Sequence, residues 1–271
     1  MTSAIAGLKA NMTGLDVTGN NVSNVNTNAF KSSSITFRDT MYQQINGGSK
    51  SGSTAGINPS QVGYGSTASS VNVNVASGGQ DATGQSSDVF INGGGYLVLS
   101  SSSKDVKNLK YTRLGRLGTD SSGFLTDGDG NFVCGVGTGG ALQATPIKLV
   151  PDGTKAITNV SIASDGTITY DNGSGTTQTA GPIAIAEFPN PAGLQEAGGS
   201  CFTVSDNAGT ASYIQPGDGG KDKLTAGMLE ASNVDLATEF SNMIMFERGY
   251  EANTKIVGVA DECLQTLVNM K

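Results

Sequence analysis

The sequence predicts an elongated α+β protein, with a helix at each end and an all-β antiparallel middle. Three observations carry this. Apolar residues recur at alternating three- and four-residue spacing in the first and last stretches. The middle is a series of short apolar or alternating runs, each bounded by D-G, N-G, G-G or S-G turns. Charged residues are only 14% of the chain, against about a quarter in an ordinary domain, while glycines number 39. Ser, Thr, Asn and Gly therefore carry the polar duty, which suits many short strands and a surface covered by neighbours.

The elements follow in order. Residues 1–26 read as an N-terminal helix, with Ile5, Leu8, Met12, Leu15, Gly19 and Val22 as its stripe. Four closely spaced asparagines, Asn20, Asn21, Asn24 and Asn26, should end it, because Asn side chains satisfy the open backbone groups of a helix end. Residues 27–75 begin amphipathic ("SITFRDTMYQQI") and loosen into "NGGSKSGSTAGINPSQVGYGSTASS". Low bulk and high Gly and Ser make this a flexible linker, or an extended segment ordered by contact with other chains. Residues 76–231 form the β-rich domain. "VNVNVAS" at its border alternates cleanly, and strands so closely spaced imply an antiparallel sandwich or barrel-like domain rather than βαβ units.

Residues 232–271 read as a long C-terminal helix. Ser232-Asn233-Val234-Asp235 has capping-box spacing, with Asp in place of Glu. Leu236, Met243, Phe246, Tyr250, Val257, Ala260, Leu264 and Leu267 fit one a/d-like seam, widened by Phe240, Ile244, Ile256, Cys263 and Val268. That surface is broader than a two-stranded seam needs, so more than one neighbour is expected. Each buried apolar side chain stabilises by about 1.5–3 kcal/mol, and each ordered backbone residue costs about 1–2 kcal/mol. A lone pair of terminal helices, joined in coiled-coil fashion, is therefore marginal. Further copies of the chain would supply the missing burial.

Composition also excludes. A net charge of −7 without a basic cluster argues against a nucleic-acid partner. The absence of histidine removes the commonest general base and metal ligand. Cys134, Cys201 and Cys263 form no C-x-x-C pair and are expected to be small buried hydrophobes. No apolar run is long enough to span a bilayer, and "MTSAIAGLKANMTGLDV" carries no secretory signal, which alone would say cytoplasmic. "DGDGN" at 127–131 imitates the start of a calcium loop, but Phe132 and Thr138 stand where Gly and Glu are required, so a turn between strands is expected. Ser101-x-x-Lys104 with Ser205-Asp206-Asn207 copies two β-lactamase-type motifs; a secreted serine hydrolase is thus a competing reading, weakened by the missing K-T-G and by a loop-like context. No catalytic, cofactor or metal site is expected.

"GLDVTGNNVSNVNTNAFKSSSITFRD" resembles the N-terminal signature of bacterial flagellar rod and hook proteins. The match rests on Leu15, Asp16, Val17, Asn20, Asn21, Asn24, Asn26, Thr27, Phe30 and Lys31. Ser23 replaces the usual Ala, and Ala29 the usual Gly, which speaks against a positive φ at 29. The closing segment from Leu229 is similar to the hook branch of that family, through Leu229, Glu230, Ser232, Asn233, Val234, Asp235, Leu236, Glu239, Phe240, Arg248, Gly249, Tyr250, Asn253 and the final L-V-N-M-K. "GGGYLVL", "YTRLGRL" and "GFLTDGDGNFV" resemble the family's β-domain blocks. Family members usually carry several more residues before the equivalent of Thr2.

The resemblance implies a structural subunit of the flagellar hook, polymerising helically into a flexible tube that passes torque from rod to filament and encloses the export channel. The distal rod protein is the alternative. The terminal helices would form the inner wall, the β domain the outside, and Lys31, Phe37 and the residues to Val75 the bridge between layers. Partners would be many copies of the chain, rod, hook-cap and hook–filament junction proteins, and the type III export apparatus. Location would be the extracellular hook or basal body, without a cleaved signal and without membrane insertion. Asn253 would set register within the seam or face solvent, and Arg248, beside Glu247 and Glu251, would be a surface charge or an intersubunit ion pair.

Overall fold

A computed structural model describes residues 2–48, 56, 58–104, 106, 108–137, 142–150, 157–173, 175–217 and 222–270. Much of the Gly/Ser-rich stretch read as a linker, 49–55 and 57, lies outside them, as does Thr138. The protein is α+β, with a helix in each end region and a mostly β middle. Two compact units divide the chain. One comprises 1–25, 32–74 and 234–271; the other comprises 26–31 and 75–233.

The first unit holds both helices, α1 (Thr2–Ser23) and α2 (Leu236–Asn269). The asparagine cluster ends α1 as expected: the Asn24 amide bonds back to the Asn20 carbonyl, and its side chain to the Asn20 carbonyl and amide oxygen. The cap of α2 differs from expectation. Asp235, not Ser232, is the N-cap, accepting from the Ala237 amide and the Thr238 hydroxyl. The Asp carboxylate thereby satisfies one orphan amide of the first turn and the Thr238 hydroxyl, whereas Asn233 is occupied elsewhere.

The segment expected to be a linker carries paired strands. Ser33–Asp39 runs antiparallel to Ser66–Val73, from Ser33 opposite Val73 to Asp39 opposite Ser66, with a bulge at Thr36/Phe37. Tyr42–Asn46 pairs with Ser60–Gly63. Backbone pairing orders these residues although few of their side chains are apolar.

In the second unit one ten-stranded antiparallel sheet dominates. Tyr96–Ser100 is its hub, paired with Lys110–Thr112, Phe132–Val136 and Ile185–Glu187. "YLVL" has no polar alternate because both faces of this strand are covered. Leu97 and Leu99 enter a core with Val89, Ile91, Leu125, Val133, Ile168, Ile183 and Ile185. Tyr96 and Val98 enter a second with Tyr111, Cys134, Phe188 and Phe202. Turn residues end the strands for local reasons. Gly166, at φ 78°, closes the Ala163–Thr167 turn while Asp165 accepts from the Thr167 amide. Asp127 likewise folds "DGDGN" into a turn between Leu125–Asp127 and Phe132–Val136, accepting from the Asp129 and Asn131 amides and the Asn131 side chain.

Candidate assembly interface

Two features of the structure bear on assembly, one in each unit. In the first, α1 and α2 approach closely at three glycines, Gly7 and Gly14 of α1 and Gly249 of α2. A Cβ on Gly7 would lie 2.8 Å from the Asn253 amide, one on Gly14 3.0 Å from the Phe246 ring, and one on Gly249 2.9 Å from the Asn11 amide. The Asn21 amide donates to Glu239 at 3.0 Å. Partner numbers fall along α2 as they rise along α1, so the helices run antiparallel. On α1 the fully buried residues are Ala4, Ala10, Gly14, Thr18 and Asn21. No residue of α2 is fully buried.

The bulky stripe read from sequence lies beside these close-approach positions. Ile5, Leu8, Met12, Leu15 and Val22 lie one position or more round α1 from them. Ile5 is 45% exposed and Met12 56%, while Leu8, Leu15 and Val22 are half-buried. On α2, Met243, Phe246, Val257 and Ala260 are half-buried; Leu236, Phe240, Tyr250, Leu264 and Leu267 are exposed. Ile244, Ile256 and Val268 extend that open apolar surface, and every described residue after Ala260 is exposed. Cys263 sits there too, exposed and free, unlike Cys134 and Cys201, which are buried. Burial pushes the Cys134 thiol up to about 12.

Other signature residues of this unit have local duties. Asn21 is buried and bonds both the amide and carbonyl of Ser33 as well as Glu239. Asn253 bonds the Gly249 carbonyl of its own helix and fills the space that Gly7 leaves. Arg248 pairs with Glu251 one turn away, both exposed. Phe37 meets Phe246 edge-on at 5.9 Å.

The second feature is a buried charge cluster inside the β-rich unit. Lys31 donates to Glu230 at 2.7 Å, and Arg113 Nε donates to the other carboxylate oxygen at 2.7 Å. The Gly78 amide also donates to Glu230. Lys31 bonds the Ala76 carbonyl as well, and Arg113 Nη2 bonds Ser77 Oγ and the carbonyls of Ile91 and Gly93. All three side chains are at most 2% exposed. Burial alone would push the Glu230 carboxyl up, but Arg113 and Lys31 outweigh it and hold the group below the usual carboxylate range. Burial lowers Lys31, and Glu230 offsets part of that.

The cluster joins the two ends of the sequence signature. Ala29 donates to the Glu230 carbonyl, Phe30 accepts from the Asn233 amide, and the Asn233 side chain bonds Ala76. Ala29 has φ 60°, contrary to the expectation drawn from its methyl group. The bond to Glu230 and near-complete burial hold it in the conformation for which Gly is better suited. Phe30 and Ser232 are half-buried beside this cluster in sequence, and Asn26 and Thr27 are exposed. Arg113 was not singled out from sequence, since nothing local distinguishes it from a surface arginine.

The hydrolase reading gains no geometry. Ser101 and Lys104 are exposed in the loop after Tyr96–Ser100, and the Ser205 hydroxyl donates to the Gly193 carbonyl. Asp127, Asp129 and Cys201 are the one group of metal-capable side chains found among the described residues, and the turn already uses both Asp127 oxygens. No described helix is long and apolar enough to cross a membrane.

Comparison with known proteins places these features. Residues 225–270 match the family "Flagellar basal body rod FlgEFG protein C-terminal", and residues 90–170 match "Flagellar hook protein FlgE/F/G D1 domain". The flagellar basal-body rod protein FlgG of Bacillus subtilis is 41% identical over 99% of this chain and 97% of its own length. That of Caulobacter vibrioides is 31% identical over 100% and 98%. The flagellar hook protein FlgE of Caulobacter vibrioides is 38% identical, over 42% of this chain and 20% of its own length.

Proposed function

Because the chain belongs to the bacterial flagellar rod and hook family of axial proteins, we propose that it is a subunit of the rod. The observation that carries this is the level of end-to-end identity, 41% with a rod protein, where a hook protein aligned over as much of the chain, that of Borreliella burgdorferi, is 24% identical. The hook reading rested on the closing segment. That segment falls within a pattern whose description spans rod and hook members alike, so it does not separate them.

In this reading, copies of the chain stack helically. The open apolar surfaces of α1 and α2 are covered by neighbouring copies around a common axis. The large exposed side chains Phe240, Ile244, Leu264 and Leu267 support it, since a monomer gains nothing from so much apolar surface in water. The distal rod is the position proposed, with rod and hook proteins as its axial neighbours. Export through the flagellar type III apparatus without a cleaved signal, no catalytic activity, and residence in the basal body belong to the same proposal.

Electron micrographs of the purified chain, taken across concentration and salt, test it. Straight, stiff tubes appearing above a threshold concentration are expected. Tubes that curve and bend would return the hook reading. Particles that stay monomeric at every concentration, with α1 and α2 fully protected from amide exchange, would end both.

A further inference from the structure

Three stretches far apart in sequence meet at Glu230: residues 26–31, residues 75–79, and the C-terminal strand Met228–Glu230 with the residues following it. The strand is ordered by pairing with Gln80–Ala82, and the Ala231 amide bonds the Gly79 carbonyl. Residues 26–31 belong to no strand. Their bonds run chiefly to the C-terminal stretch: Ala29 to the Glu230 carbonyl, Lys31 to the Glu230 carboxylate, and Asn233 to the Phe30 carbonyl. Lys31 also bonds the Ala76 carbonyl, and the Ser200 hydroxyl bonds the Asn28 carbonyl.

The charges make this arrangement one-directional. Without Glu230 in place, docking residues 26–31 would bury the Lys31 ammonium beside the Arg113 guanidinium, two cations with carbonyls and one hydroxyl as their partners. A buried charge stripped of its counter-ion is strongly unfavourable. With Glu230 in place, each cation has a 2.7 Å contact to its own carboxylate oxygen. Arg113 is already fixed by the carbonyls of Ile91 and Gly93, so it waits at the site whether or not Lys31 arrives.

We propose that Glu230 is a closure latch: it makes docking of the N-terminal passage, residues 26–31, conditional on the C-terminal strand of the same chain. A molecule whose C-terminal strand has not paired leaves that passage, and the start of its connection to α1, undocked. The latch is a test of chain completeness built into the β-rich unit, and it is independent of whether the polymer is rod or hook.

Amide hydrogen exchange on the full chain tests it. In Glu230→Gln, the amides of Ala29, Gly78 and Asn233 should exchange together about a hundredfold faster, while those of Tyr96–Ser100 keep their wild-type protection. Lys31→Met leaves a one-to-one pair of Glu230 and Arg113, and the Gly78 amide should stay protected in it. Adding Lys31→Met to Glu230→Gln should restore most of the protection at Gly78, because one of two uncompensated cations is gone. In pulse-labelled refolding of the wild-type chain, Ala29 should gain protection no earlier than Leu229. Uniform loss of protection across the whole unit, additive effects of the two substitutions, or protection at Ala29 preceding that at Leu229 would each overturn the proposal. If Glu230→Gln does not fold, Lys31→Met and the refolding order still decide.

Discussion

Glu230 shows how one side chain can set a pH dependence. Its folded carboxyl titrates below the ordinary 4.5, because Arg113 and Lys31 favour the charged form more than burial disfavours it. The unfolded chain therefore takes up the proton more readily than the folded one. The stabilisation is fully present above the unfolded value and is lost as pH falls through the folded one. Acid titration of unfolding should show stability of the β-rich unit declining below about pH 4.5, and Glu230→Gln should remove part of that slope. An unchanged slope would mean that other carboxylates carry the acid sensitivity. Little of this was legible in the sequence. Lys31 and Glu230 are 199 positions apart, and only their membership of two signature segments marked them. At Ala29 the sequence argument failed outright: a methyl group disfavours positive φ by about 1–2 kcal/mol, and the bond to Glu230 together with burial overrides it.

At the scale of elements, the two helices were legible as helices, and α2 almost to its ends. The small residues at their closest approach were not. A periodic search for bulky apolar residues finds Ile5, Leu8, Met12, Leu15 and Val22. The close-approach positions Gly7, Asn11, Gly14 and Asn21 have the same spacing but little hydrophobicity, because small side chains let two helices come close. Gly14→Leu should therefore be far more damaging than its helix propensity suggests. Leu is the better helix former by nearly 1 kcal/mol, but its side chain would collide with Phe246. The expected outcome is faster amide exchange along both helices, with no change in the β-rich unit. Unchanged exchange would show that the helices do not meet through Gly14. The strands at 33–73 were missed for a related reason: their order comes from backbone pairing, and their exposed, mostly polar side chains leave no strong period to read.

At the scale of the whole molecule, the distribution of apolar surface is the main clue to function. The β-rich unit encloses its large side chains in two cores, one on each face of its hub strand, whereas α2 encloses none completely. A chain selected to work alone would bury or replace Leu264 and Leu267. Leu264→Asp separates the two situations. At an exposed position in an isolated molecule such a change stays within about 0.5 kcal/mol of neutral, so thermal unfolding of the β-rich unit should not shift. In a contact between copies the same carboxylate would be buried without a partner, a penalty of several kcal/mol, and the threshold concentration for tube formation should rise at least about a hundredfold by sedimentation. Tubes forming at the wild-type threshold would place Leu264 outside every contact between copies. The polymer would then have to be held by other surfaces, with Phe240 and Ile244 as the next residues to substitute, because they lie where α2 still has α1 beside it.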